Sequence, residues 1–419
     1  MQTKQRNKLN FKGQNIYIGI DVHKKSWSVT ILSENSVLKK FSQTPNPKLL
    51  YDFLARNYPE GNYNSVYEAG FCGFWIHDEL IKLGINNIVV TPGDVPAIAK
   101  EKLHKTDAVD SNRLARALRS GELNGIYVPT KEELENRSLL RVRYALVRDL
   151  TREKNRIKGF LHFYGIQFPE QFNRHNTHWS QRFMMWLKLL DFNTQSAKIA
   201  LNFHIQKAEH IRSLLLQETR AIRMLSRTDK YKKQIEYLTS VPGIGEFVGM
   251  TLLTEICDIK RFRNSDQLAS FIGLIPMCHS SGEHEHVGDI TVRKHSILRC
   301  YIVESAWKAI RNDPAMTLAY ENHLKKMHPC KAIVKIARKL INRIFFVLKH
   351  EQKYVDVEEL TQTIVNEYIK KIVVYAPDKS SGKRTQKVKI YFNFVDDVDI
   401  PIIFEPITTE TTYGPRKTA

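Results

Sequence analysis

Residues 16–25 place the strongest constraint on how this chain can fold. Isoleucines at every second position alternate with Tyr17 and Gly19, a period typical of a β-strand, and the strand ends on Asp21. A carboxylate at the end of a buried strand is costly unless a metal ion or a basic partner uses its charge. Residues 27–32 predict a second strand after a tight turn, so the pair is expected to be a β-hairpin. An ordinary aspartate in a surface turn is the alternative for Asp21 considered by itself.

The following hundred residues alternate between predicted strands and predicted helices. Strands are predicted at residues 37–41, 65–70 and 88–90, and helices at residues 46–58 and 74–83. This alternation predicts an α/β domain over residues 15–129. An actin-like ATPase is a rival fold, since its first strand can also end in Gly-x-Asp. The Gly-rich phosphate loops that such a fold requires are absent from the sequence.

Three further acidic residues are candidates to act with Asp21. Glu68 ends a predicted strand, and Asp107 and Asp110 lie three residues apart, which places them on one face of a predicted helix. The helix dipole also favours acidic residues in a first turn, and this is the simpler explanation of that pair taken alone. Together, such carboxylates are the ligands that one or two Mg²⁺ ions require, and two ions stabilise the attacking and leaving oxygens of a phosphodiester.

The net charge indicates the kind of partner. The chain has 64 Lys and Arg against 44 Asp and Glu, a formal charge of +20, which favours a polyanion, most simply nucleic acid. No run of 18 apolar residues is present, so we expect no membrane partner. Residues 1–14 are expected to be a basic arm and lack the apolar core of a secretory signal. The five scattered cysteines predict reduced thiols in a cytosol-like compartment.

Residues 130–238 have the period of long helices. Apolar residues at steps of three, four and seven predict one helix over residues 132–163, and a second is predicted over residues 196–238. Together they suggest an antiparallel coiled coil, with a bundle of core helices as the alternative. An arginine-rich face of the first helix is expected to contact phosphates, with a solvated face of local ion pairs as the alternative. Its members are Arg137, Arg141, Arg148 and Arg152.

Residues 239–350 combine a glycine turn, a polar loop and amphipathic helices. Residues 241–245 (VPGIG) resemble the turn of a helix-hairpin-helix, whose glycines let backbone amides approach a phosphate. The Cys and His of the loop after residue 277 lack zinc-finger spacing, so a polar loop is favoured over a zinc site. A serine of that loop can attack a phosphodiester if it meets DNA. The helix predicted over residues 330–349 carries further candidates for phosphate contact, Lys331, Lys335 and Arg338.

These blocks resemble the DEDD transposases of bacterial insertion sequences of the IS110 type, the bridge-RNA-guided recombinases. The resemblance covers residues 15–350. Its blocks are YIGID at 17–21, EAG at 68–70, KTDAVD at 105–110, VPGIG at 241–245, and FIGLIP at 271–276 followed by Ser281-Gly282. It implies a RuvC-like N-terminal domain of RNase H fold, a coiled-coil linker, and a mainly helical C-terminal transposase domain, residues 239–350, that supplies a nucleophilic serine.

The resemblance also implies roles for individual residues. Asp21, Glu68, Asp107 and Asp110 match the family's acidic tetrad, expected to hold Mg²⁺, or Mn²⁺ in its place. The family's serine stands directly before the glycine, so the expected nucleophile is Ser281 rather than Ser280.

Partners follow from the same resemblance. Such enzymes are homo-oligomers, dimers or tetramers, in which the serine of one subunit completes the acidic site of another. A structured non-coding guide RNA would pair with double-stranded DNA at the element ends and the target, so that base pairing selects the sequence. The expected location is the bacterial cytoplasm, at the nucleoid.

Two other activities are compatible with the same residues, and the chain departs from the family pattern in places. The alternatives are a metal-dependent DNA nuclease or junction resolvase that uses water, and a non-catalytic nucleic-acid-binding protein. Lys294 stands where the family often has a glycine, four residues before Leu298, and residues 165–230 form a longer linker than is typical. The extension at residues 351–419 is additional, and its segments 372–375 and 388–394 predict a β-hairpin across a turn at 379–383.

Overall fold

The computed structural model describes residues 10–96, 106–174, 177–281, 284–354, 369–374 and 388–392. The chain divides into two compact units, Met1–Thr130 and Lys131–Ala419. In the described part of the chain, no helix is both long and apolar enough to cross a membrane. The finer division at residues 238 and 350 stays a prediction.

A five-stranded sheet forms the centre of the first unit, in the order β3-β2-β1-β4-β5. β1, β2 and β3 are antiparallel neighbours, whereas β4 lies parallel to β1 and β5 lies parallel to β4. The predicted hairpin and α/β alternation are confirmed. The strands are β1 Asn15–Val22, β2 Trp27–Leu32, β3 Val37–Gln43, β4 Asn62–Glu68 and β5 Asn86–Val90.

Helices cover both faces of this sheet, because β1 alternates two kinds of residue. Its isoleucines are fully buried in a core that α1 and α2 complete with Leu50 and Ile76. Gly19 faces the other side, where α3 lies against β1 and β2. The helices are α1 Pro47–Asn57, α2 Trp75–Lys82 and α3 Asp107–Arg119.

The second unit is mainly helical. Its helices are α4 Lys131–Phe163, α5 Gln181–Leu189, α6 Gln195–Ser226, α7 Lys232–Thr239, α8 Glu246–Ile256, α9 Ser265–Ile272, α10 Ser296–Asn312, α11 Pro314–Leu324 and α12 Pro329–Lys349. A large apolar core joins α12 and α10 to α8 and includes Leu140 of α4 and Ile222 of α6. The start of α4 and the end of α6 are therefore part of the same core as the C-terminal helices.

The long helices α4 and α6 run antiparallel. Ile157 near the end of α4 packs with Leu201 and Ile205 near the start of α6, and α5 closes this second core with Phe183. The prediction of one helix over residues 196–238 was wrong, because α6 ends at Ser226 and α7 begins at Lys232. The break lies at Thr228, whose hydroxyl donates to the Leu225 carbonyl at 2.7 Å, and such local bonds compete with helix continuation. The coiled-coil geometry itself stays a prediction.

Two β-hairpins occur in the second unit. β6 Pro276–Ser281 pairs antiparallel with β7 His284–Ile290, where the sequence predicted a polar loop. The segment has no apolar alternation in sequence, which is why its strands were missed. β8 Ile369–Val374 pairs antiparallel with β9 Val388–Phe392, with Ile372 opposite Ile390. Residue 375 and the expected turn at 379–383 lie outside the described residues.

Candidate active site

The register of two parallel strands places Asp21 beside Glu68. Ile20 of β1 pairs with Tyr67 of β4, so the next residue of each strand lies at the same edge of the sheet. Successive residues of a strand face opposite sides, so Asp21 shares the face of Gly19 and Glu68 shares the face of Val66, which packs against α3. Ligands of open α/β sheets typically bind at the carboxyl ends of the strands.

Gly19 lets α3 approach this edge closely. A Cβ at position 19 would lie 2.1 Å from the Ser111 carbonyl oxygen and 2.5 Å from the Ala115 nitrogen, both backbone atoms of α3. The Ser111 hydroxyl lies 2.9 Å from that of Thr30 and 3.3 Å from that of Ser28, which ties α3 to β2. This contact carries Asp107 and Asp110, in the first turn of α3, to the strand ends.

The four acidic residues form two pairs, each bridged by a basic side chain. His23 Nε2 lies 3.2 Å from Asp21 Oδ2 and 3.4 Å from Asp107 Oδ1. Arg113 Nη2 lies 2.9 Å from Glu68 Oε1 and 3.4 Å from Asp110 Oδ1. Sequence reasoning missed both bridging residues. The available signals were the position of His23 just past the strand end and the three-residue spacing of Asp110 and Arg113 on one helix face.

The pKa of Asp21 reflects its burial and its charged neighbours. Burial raises the pKa of Asp21, as do the nearby Asp107 and Asp110, whereas His23 lowers it. Asp21, His23 and Asp107 each offer one ligand atom within 4.8 Å of the others. Carboxylate oxygens are the ligands that Mg²⁺ prefers, so this donor set fits a divalent cation. Glu68 and Asp110, engaged by Arg113, extend the same edge.

The predicted arginine face of α4 has two different surroundings. Arg141 donates to both carboxylate oxygens of Glu255, at 2.7 and 2.9 Å, and Arg137 Nε lies 3.3 Å from the same carboxylate. Arg148 is exposed, and Arg152 is exposed and lies 3.2 Å from Asp149. Arg137 and Arg141 therefore join α4 to α8, a structural role that their spacing could not reveal.

Glu255 is the centre of that network. Its side chain is only 1% exposed, and His295 Nε2 lies 3.2 Å from it. Burial alone would raise the pKa of Glu255, but hydrogen bonds from His295 and Arg141, with their charges, lower it to about 2. Because His295 Nδ1 also accepts from the Leu298 N–H at 3.3 Å, the network fixes the start of α10.

The predicted basic residues of α12 also differ. Arg338 donates to the Ser265 carbonyl at 3.0 Å and pairs with the Asp266 carboxylate, so it holds the start of α9. Lys335 is exposed, and Lys331 is exposed and lies 3.2 Å from Asp289. Lys331 and Lys335 are thus accessible to a nucleic acid.

Ser281 is the last residue of β6. Its backbone pairs with that of His284, and Ser280 pairs with Glu285, so only residues 282 and 283 connect the two strands. The expected nucleophile thus lies at the end of a hairpin. Gly282, which completes the Ser-Gly motif, lies outside the described residues.

Two glycines of the second unit, Gly243 and Gly273, make close contacts that were not predicted. Gly243 of the VPGIG turn has φ +95°, and a Cβ there would lie 2.6 Å from the Ser305 carbonyl of α10. Gly245 has open space around its Cβ position. Gly273, with φ +86°, would bring a Cβ within 2.6 Å of the Lys294 Cβ. Gly273 therefore leaves room for Lys294.

Two family models match the chain over the parts just described. A DEDD transposase model of the IS110 type matches residues 18–166, which include the four acidic residues. The model described as the transposase IS116/IS110/IS902 family matches residues 235–321, which include Ser281. The chain belongs to the IS110 family of transposases. A domain of unknown function matches residues 338–399.

Curated relatives of this IS110-family transposase carry matching names. The chain is 29% identical over 254 residues to the transposase for insertion sequence element IS1533 of Leptospira borgpetersenii, covering 59% of the chain and 72% of the relative. It is 26% identical over 362 residues to the putative transposase y4rJ of Sinorhizobium fredii, covering 78% and 90%. It is 25% identical over 299 residues to the transposase for insertion sequence element IS1111A of Coxiella burnetii, covering 69% and 78%. The chain is thus an enzyme of DNA transposition.

Proposed function

We propose that this transposase cuts and rejoins the DNA of its own insertion element, with an acidic metal site and a covalent serine–DNA intermediate. The acidic residues are Asp21, Glu68, Asp107 and Asp110, and the nucleophile is Ser281. The observation that carries the proposal is that Asp21 and Glu68 end adjacent parallel strands, with α3 held against β1 by the close approach at Gly19.

The donor set supports Mg²⁺ as the cofactor, with Mn²⁺ as a substitute. Asp21 and Asp107 would hold the ion through carboxylate oxygens, and His23 lies close enough to contribute or to orient both. When bound, Mg²⁺ stabilises negative charge on the phosphate that is attacked. Arg113 keeps Glu68 and Asp110 together and places a positive charge at the same edge.

The serine step is a transesterification. The Ser281 Oγ attacks phosphorus, the phosphorus–oxygen bond to the deoxyribose breaks, and the released deoxyribose hydroxyl takes the proton. A DNA hydroxyl later attacks the phosphoserine diester, and Ser281 leaves with a proton. One phosphodiester is exchanged for another at each step, so no ATP is needed.

The exposed cations support DNA contact at some of the predicted positions. Arg148, Arg152, Lys331 and Lys335 are exposed and remain proposed phosphate contacts. Arg137 and Arg141 bind the buried carboxylate of Glu255, and Arg338 holds the start of α9, so we assign these three arginines structural roles instead. Guidance by a structured non-coding RNA and assembly as a dimer or tetramer are further parts of the proposal. The net charge and the family resemblance support an RNA partner, and the resemblance alone supports the oligomer.

The metal site is tested by Asp21→Asn in full-length protein, with Asp52→Asn as control. Asp52 forms an exposed ion pair with Lys48 on α1, away from the strand ends. Because the metal contributes several kcal/mol of charge stabilisation, excision of a plasmid-borne element should fall at least ~100-fold in Asp21→Asn. Asp52→Asn should excise normally. Wild-type excision by Asp21→Asn would contradict the proposal.

Hydrolysis by water is the competing chemistry. All four acidic residues lie in the first unit, so a metal-dependent nuclease or junction resolvase needs nothing from Ser281. Denaturing gels separate the two activities, because a hydrolase leaves no protein attached to the DNA.

A further inference from the structure

A cavity of about 520 Å³ lies between α4, α5 and α6 in the second unit. We call it the Trp179 cavity. Its lining includes the apolar side chains of Leu150, Met184 and Ala208 and the basic side chains of Lys154 and Arg212. Its volume is within the range of small-ligand sites. It lies in the long linker segment, which the proposed chemistry does not use.

Basic side chains outnumber acidic ones in the lining of the Trp179 cavity. Lys154 and Arg212 both approach Trp179, one at its ring and the other at its carbonyl. Burial lowers the pKa of Lys154, and the positive charges of Arg212 and Lys158 lower it further. Lys188 also lines the cavity, but it is paired with Glu209 at 2.6 Å. Lys154 and Arg212 therefore give the cavity a net positive charge that an anion would neutralise.

Trp179 supplies an aromatic surface beside these cations. Its half-buried indole lines the cavity, and Lys154 Nζ lies 5.3 Å from the ring centroid. Trp179 has φ +67°, a conformation that is rare for a bulky residue. Arg212 donates to its carbonyl at 3.4 Å. Strained conformations of this kind cluster at binding sites, where the surrounding structure maintains them.

The apolar and the basic lining residues together indicate which ligand fits the cavity. A small inorganic anion would make no contact with the indole or with the apolar side chains of the lining. An apolar molecule would leave two cations without a counter-charge. A nucleotide can contact both the aromatic and the basic side chains, because single-stranded nucleic acids bind through bases stacked on aromatic rings and phosphates on basic residues. We propose that the Trp179 cavity binds one unpaired nucleotide of a nucleic-acid strand, with its base against Trp179 and its phosphate between Lys154 and Arg212.

Binding of fluorescein-labelled 12-nucleotide single strands, RNA and DNA, to the full chain tests this site. The titrations are done without metal and in the Ser281→Ala background, so failure of the transposition chemistry does not affect the result. Lys154→Ala and Arg212→Ala should each reduce the slope of log affinity against log salt by about 0.7, the contribution of one phosphate contact. Lys232→Ala, an exposed lysine of α7 that does not line the cavity, should leave the slope unchanged.

Trp179 is tested with the same probes. Trp179→Ala should weaken single-strand binding about 5- to 100-fold, and Trp179→Phe should weaken it less because a ring remains. Thermal unfolding of each variant verifies the fold. If Trp179→Ala unfolds, the Lys154→Ala and Arg212→Ala variants still test the proposal. Tighter binding of RNA would assign the occupant to an RNA strand, and tighter binding of DNA to a DNA strand. Wild-type affinity and salt slope in the folded Lys154, Arg212 and Trp179 variants would overturn the proposal.

Discussion

Gly19→Ala perturbs the acidic site without touching any acidic residue. The added Cβ would lie 2.1 Å from the Ser111 carbonyl, and reaching an ordinary contact of 3.4 Å requires a displacement of about 1.3 Å. Because the obstructing atoms belong to the backbone of α3 at Ser111 and Ala115, the helix must move, and its first turn moves with it. Asp107 and Asp110 would then leave Asp21 by about an ångström.

Two magnitudes follow from this displacement. Overpacking of this kind costs about 1–3 kcal/mol of unfolding free energy. A misplacement of about 1 Å costs about 100-fold in rate, so metal-dependent DNA cleavage should fall by that factor in protein that is still folded. Urea unfolding measures the first quantity, and single-turnover cleavage of an element-end DNA measures the second.

Gly159→Ala is the matched control. Gly159 lies in α4, and its Cβ position has no neighbour within 4 Å. Alanine there should stabilise the helix by about 0.5–1 kcal/mol and leave cleavage unchanged. Cleavage at the wild-type rate by folded Gly19→Ala would refute the reasoning, because the close placement of α3 on β1 would then be unnecessary.

Two further predictions concern buried carboxylates. The lowered pKa of Glu255, about 2 against an ordinary 4.5, contributes about 3 kcal/mol of stability above pH 4.5 that is lost as pH falls toward 2. Glu255→Gln should therefore destabilise the protein by about 3 kcal/mol at pH 7 and flatten this acid limb, measured by urea unfolding from pH 3 to 7. Burial raises the pKa of the Glu218 carboxylate to about 7, although the nearby Arg143 lowers it. Ionisation of Glu218 costs unfolding free energy as pH rises from 4.5 through 7. Glu218→Gln should therefore stabilise the protein at pH 8 and not at pH 4. Equal unfolding free energies of wild type and Glu218→Gln at pH 8 would contradict this prediction.

The first unit could be predicted well from sequence because its information is local. The alternation in β1 predicts a strand that ends on Asp21, and the spacing of Asp107 and Asp110 predicts one helix face; both elements are present. The contact that joins them could not be predicted. Gly19 matters because α3, some ninety positions later, crosses it, and no local pattern contains that information.

The second unit shows the converse problem. The spacing of Arg137 and Arg141 matched a phosphate-binding face, but their partner, Glu255, lies more than a hundred residues away. Gly243 matched a phosphate-binding turn, and it instead makes room for α10. In each case a residue suited to nucleic acid is also suited to the protein core. Only the three-dimensional neighbours distinguish the two roles.

The most direct test of the proposed mechanism is the covalent adduct at Ser281. Purified protein is incubated with Mg²⁺ and a radiolabelled element-end DNA, stopped with denaturant, and separated on a denaturing gel. We predict a protein–DNA band in wild type and in Ser280→Ala, no such band in Ser281→Ala, and unchanged DNA binding in all three. A band that persists in Ser281→Ala and disappears in Ser280→Ala would reassign the nucleophile. Cleaved DNA without any attached protein in wild type would contradict the serine mechanism and favour hydrolysis by water.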